Sequence, residues 1–401
     1  MNDVEIPDQW IQAKLPDISN LNMGQSPSSS DVNISGDGIA FFQGKAEFGK
    51  LYPTVKKYCS APRKTAEKND ILLSVRAPVG PTNLANQMTA IGRGLAAIRA
   101  DENNVNFKFL LYYFRKIEPW MSEQGTGTTF KAISGQFLKE LDCIVPPLAE
   151  QKIIADKLDT LLAQVGTTKA RLDRIPKILK TFRQAVLAAA VSGKLTEEWR
   201  ERHEISRSGW LSTKFSSICR EITVGYVGKM ADRYESSGIP FLRSQNVRAF
   251  QYSDVNLLYI SKDFHKKIYK SRLEPGDLAI VRSGAPGTTC VIPASLGIAN
   301  CSDLVIARPN EKLISDFGCI FMNSEIAQKN VSENQVGVAQ QHFNVGSMKK
   351  MPIDLPSNKE QTEIVRRVEE LFAFADSIEQ KNNAALERVN NLTQSILAKA
   401  F

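Results

Sequence analysis

Residues 150–191 read EQKIIADKLDTLLAQVGTTKARLDRIPKILKTFRQAVLAAAV, and residues 360–401 read EQTEIVRRVEELFAFADSIEQKNNAALERVNNLTQSILAKAF. A shift of 210 residues superposes them without a gap. Glu150-Gln151 falls on Glu360-Gln361, Leu161 on Leu371, Gln184 on Gln394, and Leu187-Ala188 on Leu397-Ala398. Apolar positions step by four and three in both copies. In the first they run Ile154, Leu158, Leu161, Val165, Thr168, Leu172, Ile175, Leu179, Phe182 and Val186, with Thr168 the one polar place. In the second they run Ile364, Val368, Leu371, Ala375, Ile378, Asn382, Ala385, Val389, Leu392 and Ile396, with Asn382 the one polar place. A period of roughly 3.5 residues held over several heptads marks a coiled-coil seam. One such helix alone leaves an apolar stripe uncovered, whereas two cover each other. The repeat predicts two long antiparallel helices, each about 45 residues and on the order of 65 Å. Pro176 lies inside the first, so a kink or break is expected near Ile175. Thr168 and Asn382 interrupt the seam and are candidates for fixing its register.

The segments outside the helices repeat as well. Residues 1–147 hold short apolar runs bounded by turn residues (Ile39 to Phe42, Ile71 to Val75, Leu95 to Ile98), which read as strands, and a helical stretch from Asn106 to Glu118. Residues 204–357 follow the same plan. Trp210 answers Trp10 and Gly238-Ile239-Pro240-Phe241 answers Gly38-Ile39-Ala40-Phe41; Asp277-Leu278 answers Asp70-Ile71, and Val281-Arg282 matches Val75-Arg76. The expected class is α+β: two α/β blocks related by a pseudo-twofold and separated by the paired helices. The segments are 1–147, 148–203, 204–357 and 358–401. A repeat of some 200 residues is no solenoid. Two related heads on a fixed spacer suit two half-sites on one duplex.

The chain has 401 residues and a net charge of +8, which favours an acidic partner, nucleic acid first. Its N-terminus lacks the basic and apolar blocks of a signal peptide, and no apolar run is long enough to span a membrane. Six cysteines without a C-x-x-C pair read as reduced thiols, and cytoplasm is the expected compartment. Catalytic patterns are scarce. His203, His265 and His342 are scattered, which fits ordinary solvated histidines better than a metal site. No Walker-type phosphate loop occurs. Gly92-Arg93-Gly94-Leu95-Ala96-Ala97 satisfies G-x-G-x-x-A, but no helix pattern follows it, so a dinucleotide site is disfavoured.

Polar and basic residues cluster instead at matched strand ends. Gln43 and Lys45 follow the first matched strand, and Arg243, Ser244, Gln245 and Arg248 follow its counterpart. Ser74 and Arg76 end the second, answered by Arg282 and Ser283. Thr128 and Lys131 form a third loop, answered by Gln340 and Gln341. Arginine pairs with guanine and Gln or Asn with adenine, while Ser, Lys and backbone N–H groups hold phosphates. Any one of these loops alone reads as a solvated turn; their recurrence at equivalent places points to DNA contact. A protein-only coiled-coil adaptor is the alternative from another class, and a phosphate-handling enzyme at Ser283 to Thr289 is a second.

Three stretches resemble the specificity subunits of type I restriction-modification systems, type IA branch. They are PPLAEQKIIA (146–155) with LDTLLAQV, IPKILK (175–180) with FRQAVL and GKLTEEWR (193–200), and EIVRRVE (363–369) with NNLTQSILAKAF (390–401). The resemblance covers the whole layout. It implies that each block reads one half of a bipartite, asymmetric site on double-stranded DNA and that the helices measure the unread spacer. It implies two modification subunits that methylate adenine with S-adenosylmethionine, and two restriction subunits driven by ATP with Mg. The specificity subunit itself carries no active site and no metal. Members of that family usually continue past the second helical region with a short tail that answers residues 192–200.

Overall fold

The computed structural model describes residues 7–125, 131–334 and 342–401. Two compact units result, one of Met1–Asp173 with Asn383–Phe401, the other of Arg174–Asn382.

The first unit contains β1 (Ile11–Lys14), β2 (Ser19–Met23), β3 (Ile39–Phe42), β4 (Ile71–Ser74), β5 (Thr82–Leu84), β6 (Thr89–Ile91), β7 (Leu95–Ala100), α1 (Phe107–Gln124), β8 (Asp142–Val145) and α2 (Leu148–Leu172). The second contains α3 (Ile175–Ser192), α4 (Glu197–Arg202), β9 (Leu211–Lys214), β10 (Cys219–Val224), β11 (Ile239–Leu242), β12 (Leu278–Val281), β13 (Thr289–Val291), β14 (Ala299–Cys301), β15 (Leu304–Pro309), α5 (Ser315–Met322), α6 (Glu325–Glu333) and β16 (Pro352–Leu355). Helix α7 (Asn358–Ala400) supplies its residues up to Asn382 to the second unit and the rest to the first.

Each unit has the same central antiparallel sheet, β2-β7-β4-β5 in one and β10-β15-β12-β13 in the other. Both faces are covered, so these strands are continuous apolar runs that alternate between two cores. Ile71 and Leu73 enter one core and Leu72 another. Leu278 and Ile280 part from Ala279 and Val281 in the same way. A second sheet in each unit contains a parallel pair, β3 with β6 and β11 with β14, in register Phe42↔Ile91 and Leu242↔Cys301. All six cysteines are free and buried. No described helix is long and apolar enough to cross a membrane.

Asp70 and Asp277 precede the central strands, and an arginine from the neighbouring strand seals each. Arg99 binds Asp70 through Nε at 2.9 Å and Nη2 at 3.0 Å. Arg308, almost wholly buried, lies 3.3 Å from Asp277 and also pairs with Glu221. Burial pushes the Asp277 carboxyl up to about 6, a rise that the Glu274 N–H and Arg308 only partly offset. The folded state therefore holds this proton more tightly than the unfolded one. The associated stability is full below the ordinary aspartate range and is lost as pH rises through about 6. Asp277→Asn should flatten the pH dependence of the urea midpoint between about pH 4 and about pH 7 relative to the parent. Parallel curves for the two proteins would contradict this.

The expected break is present: α2 ends at Leu172 and α3 starts at Ile175 with Pro176 in its first turn, where proline's missing N–H costs nothing. The first helical copy is thus two helices of 25 and 18 residues, whereas α7 runs unbroken for 43. Helices pair inside each unit, and in the second the pairing is antiparallel. In the second unit Arg183 binds Asp376 and Glu379, the Leu195 carbonyl accepts from Arg367, and Arg200 binds Glu360, so one partner's numbers climb as the other's fall. In the first, Leu158 and Leu397 share a buried cluster with Tyr112.

Leu158, Leu179, Val186, Ile364 and Val368 are buried; Ile154, Val165, Leu172, Phe182, Leu371, Ile378, Val389 and Ile396 are half-buried. Two seam assignments need correction, because Leu161 is 43% and Leu392 is 45% exposed. The buried line on α2 follows Ile154, Leu158 and Leu162, a step of four that leaves Leu161 on the flank. Thr168 is also exposed and donates to Gln164 O of its own helix, so it sets no register. Asn382 is buried, with no side-chain partner among the described residues.

Each block is fastened to its helix by the same two residues. Glu150 accepts from Trp10 Nε1 at 3.2 Å, and Glu360 from Trp210 Nε1 at 2.8 Å. Gln151 accepts from Asn106 N and donates to the carbonyls of Asn104 and Pro146. Gln361 accepts from Ile314 N and donates to those of Lys312 and Pro356. In the second unit Glu360 also receives Arg200 at 2.6 Å and Thr196 at 2.8 Å, delivered by the turn after α3. Gly193 makes that turn at φ +85, where a Cβ would meet Arg207 and Arg200.

Candidate nucleic-acid interface

The parallel pairs decide which loops meet. Because β3 and β6 run together, Gln43 and Arg93 emerge side by side, and both bond Ser26: Gln43 Nε2 donates to Ser26 Oγ at 3.0 Å and Arg93 N at 3.4 Å. These residues, with Asn33 and Lys57, line a 580 Å³ cleft. The Gly92–Gly94 motif serves this approach. A Cβ on Gly94 would lie 2.4 Å from Gln43 O, and one on Gly92 would lie 2.8 Å from Gln43 Oε1. It is a packing device between two loops.

In the second unit β11 and β14 bring Arg243-Ser244 beside Ser302-Asp303. Ser244 Oγ donates to Asp303 Oδ2 at 3.1 Å, and Ser283 Oγ lies 2.8 Å from Asp303 Oδ1. Ser283 Oγ is also 2.7 Å from His342 Nδ1. Asp303 sits at φ +55, a region that Asp and Asn enter more readily than other side-chain-bearing residues.

Backbone hydrogen bonds show that the two frames match. Val75 N donates to Gly94 O and Ile133 N to Val75 O. Correspondingly, Arg282 N donates to Asp303 O and Phe343 N to Arg282 O. Arg76 forms a β-bridge to Ala132. Ser74 thus corresponds to Val281, Arg76 to Ser283, Gly94 to Asp303 and Ala132 to His342. The match of Val75-Arg76 to Val281-Arg282 was one residue out, because a chance dipeptide identity outweighed the ladder.

Gln43, Lys45, Arg76, Lys131, Gln245 and Arg248 are exposed, and Arg243, Ser244, Arg282 and Ser283 are half-buried. Arg243 Nη2 donates to Asn256 O at 3.0 Å, and Arg243 N donates to the buried Asn246 side chain. Ser74 must be removed from the contact set. It is 2% exposed, and its hydroxyl donates within its own turn, to Pro78 O at 2.8 Å, with Arg76 O at 3.1 Å. Thr128, Gln340 and Gln341 lie outside the described residues. Sequence reading missed Arg93 and Asp303, and it left His342, which ends the third matched loop, out of the contact set. Their only prior signal was position, just after a strand parallel to a matched one or at the edge of a matched loop.

Residues 7–177 and 213–388 match the family model described as "Type I restriction modification DNA specificity domain". The Escherichia coli type I restriction enzyme EcoBI specificity subunit is 32% identical, over 99% of this chain and 86% of that protein. The EcoKI specificity subunit of Escherichia coli strain K12 is 41% identical, over 70% of this chain and 61% of that protein. Among solved structures, a chain from a study of assembly and conformational transition in a type I R-M system superposes with a TM-score of 0.75. It is 17% identical, with 99% of this chain and 98% of that one covered. The HsdS subunit from Thermoanaerobacter tengcongensis gives a TM-score of 0.64 at 17% identity, covering 100% and 98%.

Proposed function

Because the chain belongs to the family of type I restriction-modification DNA specificity subunits, which carry no catalysis of their own, we propose that each unit reads one half of a bipartite, asymmetric site on double-stranded DNA. The observation behind this reading is the matched construction of the two loop clusters. The same parallel strand pair and the same backbone bonds present Gln43, Lys45, Arg93, Arg76 and Lys131 in one unit. In the other they present Arg243, Ser244, Gln245, Arg248, Arg282 and Ser283. A constant frame with different side chains is what two unlike half-sites require. Arg and Gln read base edges and Lys holds phosphates, while Ser244 and Ser283 spend their hydroxyl protons on Asp303 and shape the cluster from within; Thr128, Gln340 and Gln341 join the set from the third loop.

The recognition blocks are residues 1–147 and 204–357, and the helical regions 148–203 and 358–401 set the unread spacer and dock two modification subunits. Those subunits bring S-adenosylmethionine, and two restriction subunits bring ATP and Mg. The assembly works in the cytoplasm, on DNA.

Selection of randomised duplexes by the methyltransferase assembled around this chain tests the proposal. Two short conserved sequences at fixed separation are expected. Affinity should fall about 10³-fold to 10⁵-fold between 50 and 200 mM salt if roughly six to ten phosphates are neutralised. Retained duplexes without sequence preference at any salt would instead mark a protein-only adaptor.

A further inference from the structure

Asp303, Ser283 and His342 stand in a row, and the order of the row fixes which atom carries which proton. An ionised carboxylate has no hydrogen to give, so the proton between Ser283 Oγ and Asp303 Oδ1, 2.8 Å apart, belongs to the serine. Asp303 Oδ2 takes the Ser244 proton in the same way. A hydroxyl has one proton, and that of Ser283 is committed. Towards His342, 2.7 Å away, Ser283 Oγ can only accept, so Nδ1 of the imidazole must be the protonated nitrogen. The neutral ring then keeps its lone pair on Nε2, for which the described residues supply no donor.

This order also excludes a hydrolase reading. A nucleophilic serine needs a base to receive its proton and an acid group behind that base. Here the carboxylate binds the serine, and the histidine is a donor to it.

We propose that His342 is a specificity-determining residue of the second unit and that Asp303 and Ser283 are its positioning residues, holding Nε2 as an acceptor for the amino group of an adenine or cytosine in the major groove. The inference rests on the DNA-reading function above. In the major groove adenine offers N6–H₂ and cytosine N4–H₂, whereas guanine offers only acceptors and thymine an acceptor and a methyl. A fixed acceptor separates those two pairs of bases; a freely rotating imidazole that changes tautomer does not. The first unit lacks the device, since Gly94 and Ala132 occupy the places of Asp303 and His342.

The test uses the assembled methyltransferase and pools of randomised duplexes, with the bound sequences read from parent and variants. His342→Ala should flatten discrimination at one base pair of one half-site by about tenfold to a hundredfold. His342→Gln keeps an acceptor and should keep the preference. His342→Arg has only donors and should move the preference to guanine. Ser283→Ala and Asp303→Asn free the tautomer and should relax the same base pair; Asn tolerates the φ of position 303, so the backbone is preserved. An unchanged profile for His342→Ala overturns the assignment, as does relaxation in both half-sites. So does a Ser283→Ala effect at a different base pair. A parent complex that selects no bipartite sequence would overturn the DNA-reading function and this inference with it, whereas a selective parent with an indifferent position 342 would overturn the inference alone.

Discussion

Exchanging residues 1–147 for the corresponding block of another family member should rewrite one half of the recognised sequence completely and leave the other half unchanged. The expectation follows from how the cores are divided. The sheet β2-β7-β4-β5 and helix α1 fill cores drawn from the first unit alone, and the sheet β10-β15-β12-β13 does the same in the second. Among the described residues the second unit's cores draw no member from residues 1–147, and the two loop clusters depend on separate strand pairs. Mapping methylated adenines in DNA from cells that express the hybrid with its modification subunit reads the result. Loss of both halves, or a hybrid of intermediate sequence preference in both, would contradict independent reading.

Glu360→Ala should cost the second unit about 3–5 kcal/mol, the range for removing one partner of a buried ion pair. The side chains of Arg200 and Glu360 are 8% and 1% exposed, so the guanidinium left behind cannot rehydrate without opening the turn after α3. Thr196 and Trp210 Nε1 would lose their acceptor as well. Glu360→Gln keeps an acceptor for Trp210 and should fall between parent and alanine variant. The same change at Glu150 should matter far less, since that carboxylate is half-buried and bonds only Trp10 among the described residues. Urea unfolding followed by hydrogen exchange, which resolves the two units, measures both; equal losses at 150 and 360 would contradict the account.

The sequence made the repeat legible because its strongest signals are local. The 210-residue offset, the proline pair before α2 and the break at Pro176 each need only neighbouring residues. The loop clusters were legible in part. Gln43 and Arg243 announced themselves by following matched strands, but their companions Arg93 and Asp303 follow strands 50 and 60 residues further on, brought in by parallel pairing. Nothing local distinguishes Gly92–Gly94 from a cofactor loop until the close approach of Gln43 is seen. Ser74 was misplaced for the opposite reason. A polar residue at a strand end looks available, yet its hydroxyl is consumed two and four residues away. Leu161 and Leu392 show how heptad spacing overstates a seam that only two helices share.

The fastening by Gln151 and Gln361 has a consequence for inheritance. Each amide engages one N–H and two carbonyls of the main chain; every amino acid supplies the carbonyl, and every one but proline the N–H. Mutation can alter the side chains of the attached head without touching the groups that hold it. A gene crossover near the codons for these glutamines could graft a foreign head onto a resident stem, and the graft would find its clasp already cut to fit.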